Sequence, residues 1–279
     1  MIERGSYIYA VALQRRIKMI NINEEVCIEC MTCVSVCPFS ALEDVEGFPQ
    51  LVSPARCIRC MHCGAVCPTE AISYNDRPAI LMDEIPRLGE EFVDDLKSHV
   101  LRRRSYRHFN EESVPRAIVE EALDLASWAP SAKNQHPARW IVIESKKIME
   151  EIMTLILDYV NRTGISPEIA REMEKGNNVV MGDATMLILA YARDGAVSPE
   201  TDTAIAITTA ELYLQAKGLG TCWTGYLKRM ANAIPEIREN ILDIPEDCSF
   251  YGGLMVGYPE DENYIHVPER FDRADIKWR

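Results

Sequence analysis

The 279 residues carry a formal net charge of −13, from 43 acidic against 30 basic side chains, and 47% of them are hydrophobic. That is enough apolar chain for one or two domains with cores of their own, and the acidity disfavours nucleic acid and anionic lipid as partners. No apolar run reaches the roughly 18 residues of a membrane span, and the first twenty residues lack a secretory pattern, so a cytoplasmic protein with no membrane partner is expected.

Residues 1–21 read as an N-terminal extension, with Met19 as an alternative start. Ile20–Asn23 fits a short strand. The stretch from Cys27 to Pro68 then holds two runs of the form C-x2-C-x2-C-x3-C-P: Cys27, Cys30, Cys33, Cys37, Pro38, and Cys57, Cys60, Cys63, Cys67, Pro68. They account for eight of the ten cysteines and form an internal repeat at an offset of 30 residues, which implies a pseudo-twofold module. A zinc ribbon wants two C-x2-C pairs with a longer spacer, and a disulfide framework wants an oxidising compartment; neither suits this pattern. Gly47 and Pro49 fit a hairpin turn between the runs, and Ala71–Tyr74 mirrors the tail of the first run.

The spacing resembles bacterial two-cluster ferredoxins over about residues 22–78. In that arrangement the fourth cysteine of each run ligates the other cluster. One 4Fe–4S cluster would take Cys27, Cys30, Cys33 and Cys67, the other Cys57, Cys60, Cys63 and Cys37. Met31 and Met61 stand where such ferredoxins often carry glycine. Across residues 22–78 eight acids face three bases, which suits a basic electron-transfer partner.

Residues 79–86 read as a linker, with Asn-Asp and two prolines nearby. Helical spacing follows over Arg87–Leu101, with Leu88, Phe92, Leu96 and Val100 on one face. A second helix is expected with Ser113 as N-cap and Pro115 in its first turn, carrying Ile118, Ala122, Leu125 and Ala126 inward. Trp140–Ile143 reads as a strand, Ile148–Tyr159 and Pro167–Lys175 as helices, and residues 147–180 as the expected lid. Ala184–Ala192 reads as a buried strand, Thr203–Lys217 as a helix stopped at Gly218, Thr221–Tyr226 as a strand or tight loop, Pro235–Ile241 as helical and Phe250–Gly257 as a strand. The pattern is α+β, without a regular βαβ repeat.

Three constellations carry chemistry in this second part. Arg103, Arg104, Ser105 and Arg107 offer forked guanidinium donors and a hydroxyl, a set suited to phosphate. Pro130, Ser131, Ala132 and Asn134 lie in a polar loop at a helix end. Gly218–Gly225 frees the backbone around Trp223, Thr224 and Gly225. Cys222 and Cys248 have no base nearby in sequence and read as packing residues.

Taken together and in this order, these stretches resemble the nitroreductase superfamily over about residues 87–279. The resemblance implies an α/β/α sandwich preceded by the small ferredoxin-like domain, and a homodimer binding FMN at the subunit interface. It implies phosphate contacts from Arg103, Arg104, Ser105 and Arg107, with the loop of Pro130, Ser131, Ala132 and Asn134 supplied from the partner subunit. Trp223, Thr224 and Gly225 would meet the ring edge, Asn177 the flavin pyrimidine and Arg270 the phosphate. His136 and Ala138 replace the family's glutamine and tryptophan. No dedicated catalytic side chain is expected. The whole reads as an iron–sulfur flavoprotein oxidoreductase passing electrons from the clusters to FMN and then as hydride to a small planar acceptor: a nitroaromatic, quinone, enone or flavin. The donor would be a ferredoxin-like protein or NAD(P)H. The alternatives are an NAD(P)H-driven nitroreductase with mainly structural clusters and an electron-transfer adaptor for a partner enzyme.

Overall fold

In the computed structural model, which describes residues 20–79, 85–260, 264–267 and 276–279, the chain divides into two units after Gly89. Most of the expected N-terminal extension and linker, and Arg270, lie outside the described residues.

The first unit is built on the cysteine repeat. β1 (Ile20–Ile22) leads to the first run, whose short helix α1 spans Thr32–Ser35. The hairpin of β2 (Leu42–Val45) and β3 (Phe48–Leu51) follows. Gly47 makes its turn with φ 89° and donates its amide to Asp44 Oδ1 at 2.8 Å, while Pro49 lies within β3, opposite Asp44. A 3-10 turn at Pro54–Arg56 leads to α2 (His62–Ala65), β4 (Ile72–Tyr74) and β5 (Arg77–Pro78). β4 pairs antiparallel with β1 and β5.

The two halves repeat in backbone conformation as well as in sequence. Glu29, Met31 and Ser40 have φ of 53°, 58° and 48°; Arg59, Met61 and Glu70, thirty residues on, have 58°, 57° and 54°. Left-handed conformations disfavour a residue with a Cβ, which explains why glycine suits positions 31 and 61 and marks these turns as imposed by the cysteine geometry. The core of this unit is small: Cys33, Leu42, Cys63 and Ile72, with Ile20, Ile22, Val34, Leu51, Cys37 and Cys67 around them.

The second unit is a sheet between two helical layers. Its strands are β6 (Arg139–Ile143), β7 (Met186–Arg193), β8 (Gly220–Trp223) and β9 (Cys248–Gly257), all antiparallel in the order β6-β7-β9-β8. β7 shows why both faces need helices. Leu187 and Leu189 point to one core and Met186, Ile188 and Ala190 to the other, all at 2% exposure or less. Each of the leucine, isoleucine and methionine side chains contributes roughly 1.5–3 kcal/mol by leaving water. One face is covered by α4 (Arg116–Ala126) and α7 (Pro199–Ala216), the other by α5 (Lys146–Thr163), α6 (Glu168–Glu174), α8 (Gly225–Ala233) and a π-helical turn at Glu236–Ile241. α3 (Phe92–Arg102) buries no residue, and Leu88, Phe92, Leu96 and Val100 stay exposed in the single chain.

Several expectations need correction. α4 is preceded by Pro115 in extended conformation (φ −63°, ψ 126°), so Pro115 rather than Ser113 flanks the first turn. Its inward face is Val119, Ala122 and Ala126, and Leu125 is exposed. α5 is no lid, because Met149, Ile152, Met153, Ile156 and Val160 lie in the main core. α8 begins at Gly225, inside the strand or loop expected up to Tyr226, and buries Leu227, Met230 and Ala231 at helical spacing. No helix among the described residues is long and apolar enough to cross a membrane.

Candidate functional site

Each unit contains one candidate site. In the first, the two cysteine runs fold so that their fourth members exchange places. One hollow is lined by Cys27, Cys30, Cys33 and Cys67, and a second by Cys37, Cys57, Cys60 and Cys63. Most of the other lining is apolar: Ile22, Ile28, Pro49 and Ile72 in the first, and Ile20, Phe39, Leu42 and Leu51 in the second. Each fourth cysteine accepts a backbone hydrogen bond, Ala71 N to Cys67 Sγ and Ala41 N to Cys37 Sγ, both 3.2 Å. Among the described residues no three His, Cys, Asp or Glu side chains converge tightly enough for a single ion; each quartet surrounds a space instead. Four thiolate donors in an apolar hollow, with amides turned to sulfur, fit an iron–sulfur cube.

The two hollows differ in one respect. The Thr32 hydroxyl lies 3.3 Å from Cys30 Sγ and the Thr69 hydroxyl 3.8 Å from Cys67 Sγ, so both face the same quartet. The repeat-related positions beside the other quartet are His62 and Phe39. The Thr32 side chain and amide hold the Cys30 thiol below its ordinary pKa, whereas burial pushes Cys63 up to about 11.

In the second unit the phosphate-type motif is extended chain on the edge of β8. Ser105 bridges Thr221 in parallel, and Tyr106 N donates to Thr221 O at 2.9 Å. Alternation in an extended segment puts Arg103, Ser105 and Arg107 on one face and Arg104 and Tyr106 on the other. The contacts agree. Burial raises the Cys222 thiol pKa, while the Arg107 charge, a Ser105 hydrogen bond and the Arg103 charge oppose that rise. Arg104 instead donates to the carbonyls of Leu101, Arg103 and His266, and its guanidinium and Tyr106 both pack on Tyr264. The structure therefore groups Arg103, Ser105 and Arg107 and turns Arg104 away.

The far end of β8 carries the other candidate residues. Trp223 is 37% exposed, and its Nε1 donates to Glu211 Oε2 at 3.1 Å. Its ring lies over Gly252, whose φ of 143° follows a bulge at Tyr251 in β9; a Cβ there would meet Trp223 Cζ3 at 3.4 Å. Thr224 N donates to Gly253 O, and the buried Thr224 Oγ1 has no hydrogen-bond partner among the described residues. A Cβ on Gly225 would meet nothing within 4 Å. An orphaned hydroxyl beside open backbone, at the end of a strand edged by Arg103, Ser105 and Arg107, fits a ligand with a phosphate tail and a polar planar edge.

The loop after α4 is held internally. Pro130 and Ser131 lead into a 3-10 turn over Ala132–Asn134. Buried Asp202 on α7 accepts the Ala132 amide at 2.9 Å, and Ser131 Oγ accepts the His136 amide at 2.9 Å. The His136 ring lies 2.9 Å from Asn134 Oδ1, so the histidine holds the loop asparagine within its own chain. Asn177 donates to Glu172 Oε2 at 3.0 Å. Two residues of this unit escaped the sequence reading. Glu211 is an acid in the apolar second half of α7, and Gly182 has no motif around it; an acid between Ala210 and Leu212 was the available signal for the first.

The family profile described as "Nitroreductase family" matches residues 100–258, more than half of the chain. The chain belongs to the nitroreductase family. Ahead of the nitroreductase domain, residues 19–68 match the profile described as "4Fe-4S dicluster domain". The sequence is similar to the 5,6-dimethylbenzimidazole synthase of Rhodospirillum rubrum, at 24% identity over 66% of this chain and 92% of that protein. It is also similar to the NADH dehydrogenase of Thermus thermophilus, at 26% identity over 67% of this chain and 97% of that protein. Among solved structures, an FMN-bound nitroreductase from Bacteroides fragilis superimposes with a TM-score of 0.58 at 19% identity, over 68% of this chain and all of that one. The fused architecture and the nitroreductase fold expected from the motifs are thus established, and the protein is a nitroreductase-family oxidoreductase.

Proposed function

We propose that this chain is an iron–sulfur flavoprotein that passes electrons from two 4Fe–4S clusters to FMN and on to a small planar acceptor such as a nitroaromatic, quinone, enone or flavin. Cys27, Cys30, Cys33 and Cys67 would hold one cluster, and Cys57, Cys60, Cys63 and Cys37 the other. Arg103, Ser105 and Arg107 would hold the FMN phosphate by charge-assisted hydrogen bonds. Trp223, Thr224 and Gly225 would border the ring. Asn177 and Arg270 are proposed for its pyrimidine and phosphate. Bound FMN supplies the chemistry of accepting single electrons and returning a pair as hydride. The remaining task of the side chains is to orient the ring and exclude water. In this reading the active unit is a homodimer in which the loop of Pro130, Ser131, Ala132 and Asn134 comes from the partner subunit.

One observation carries the proposal. Two crossed cysteine quartets, each around its own hollow, share a chain with a nitroreductase domain whose Arg103, Ser105 and Arg107 share a face. A purely structural metal site would need only one quartet. A second reading, direct reduction by NAD(P)H with mainly structural clusters, is favoured by the relative named NADH dehydrogenase. Anaerobic mixing separates the two. Rapid bleaching of the flavin by reduced ferredoxin and not by NAD(P)H supports the cluster route, and the reverse supports the second reading.

A further inference from the structure

Glu211 lies on α7 beneath the bridge between Ser105 and Thr221, with its side chain 5% exposed. Taking a carboxylate out of water is unfavourable unless charge and hydrogen bonds compensate it. Three donors do so. Oε1 accepts from Arg103 Nη1 at 3.4 Å and Thr221 Oγ1 at 3.2 Å, and Oε2 accepts from Trp223 Nε1 at 3.1 Å. Gln215, one turn further along α7, donates to Thr221 Oγ1 at 2.6 Å and to Arg104 O at 2.9 Å. One helix therefore grips the phosphate-type segment and β8 together. Arg103 belongs to the face assigned to phosphate and Trp223 to the segment assigned to the ring edge, so a single carboxylate joins the two ends of the site.

We propose that Glu211 is a positioning residue that couples these ends. It sets the Arg103 guanidinium towards the phosphate and the Trp223 indole towards the ring, and its charge moderates the pull of Arg103 on the anion. This rests on the FMN reading above. The indole has a second fixed boundary in Gly252, so it has little freedom while the carboxylate holds Nε1. Loss of the carboxylate frees both the indole and the guanidinium.

The test uses the full-length protein with Glu211→Gln and Glu211→Ala. Dissociation constants for FMN and for riboflavin, which lacks the phosphate, are measured by flavin fluorescence. Trp223 emission is isolated by subtraction of a Trp223→Phe control, and each variant is melted to establish folding. Glu211→Gln keeps the shape and removes the charge, so the preference for FMN over riboflavin rises at least threefold. Glu211→Ala removes both anchors, so FMN affinity falls at least tenfold and the Trp223 emission shifts. If Glu211→Ala does not fold, Glu211→Gln alone carries the test. Wild-type FMN binding with both the flavin preference and the Trp223 emission unchanged in the folded variants would overturn the coupling alone, leaving Glu211 a staple of the fold. Failure of the wild type to bind FMN would overturn the flavin reading, and the coupling with it.

Discussion

Gly182 packs against Arg107 so closely that a Cβ on Gly182 would fall inside the van der Waals shell of the Arg107 carbonyl oxygen. The next amide, Asp183 N, donates to that oxygen at 3.2 Å, and Gly182 has φ 57°. The segment before β7 thus clamps the strand that carries Ser105 and Arg107. Gly182→Ala is expected to cost roughly 2–4 kcal/mol, from left-handed strain and from backbone displacement. Thermal melting checks the loss, and an unchanged melting temperature would show that the clamp yields freely.

The face proposed for phosphate, Arg103, Ser105 and Arg107, gives a second expectation. Arg107→Ala should weaken FMN binding by about 1.5–3 kcal/mol, the usual worth of a hydrogen bond to a charged group. Ser105→Ala should weaken it less. Titration of the apoprotein with FMN measures both; unchanged affinity in both variants would move the phosphate elsewhere.

What was legible in the sequence depended on how local the signal was. The cysteine repeat is local, so the strand at Ile20–Ile22, the Gly47 turn and the strand after the second run were legible, while the short helices inside the runs and the place of Pro49 within β3 were not. β7 and β9 showed as apolar runs because helices cover both faces. The Glu211 network was hidden because its partners, Arg103 and Trp223, lie 108 and 12 residues away and meet only through sheet pairing. The constraint on Gly182 is likewise tertiary, since the backbone it meets is that of Arg107. α8 was missed for a different reason: it starts directly at the end of β8, with Gly225 as its first residue, and glycine at that point reads as a turn.

The two candidate clusters should differ in potential tuning. Hydroxyls beside cluster sulfurs favour the more negative, reduced state, and both lie on one quartet, at Cys30 and Cys67. The pair Thr32→Val and Thr69→Val is expected to move one of two couples to lower potential in a titration followed by electron paramagnetic resonance. Equal movement of both couples, or of neither, would contradict the asymmetry.

Cluster removal should unfold the first unit and spare the second. Four of the side chains that make the small first core are cysteines: Cys33, Cys37, Cys63 and Cys67. Without metal these apolar contacts are too few to hold about 60 residues. After anaerobic chelation, hydrogen exchange should show β1 to β4 unprotected and β7 and β9 still protected. Retained protection in β1 to β4 would show that the unit folds without its clusters.

In the proposed route the clusters feed the flavin. Cys30→Ser and Cys60→Ser each remove one thiolate from a different quartet and leave Arg103, Ser105 and Arg107 untouched. The decisive measurement is ferredoxin-driven turnover of folded, FMN-loaded variants. A fall of at least tenfold in each is predicted, about 1.4 kcal/mol in the barrier, while chemically reduced flavin still passes hydride to an acceptor. Wild-type turnover from reduced ferredoxin in both variants would rule out the cluster route and leave NAD(P)H as the donor.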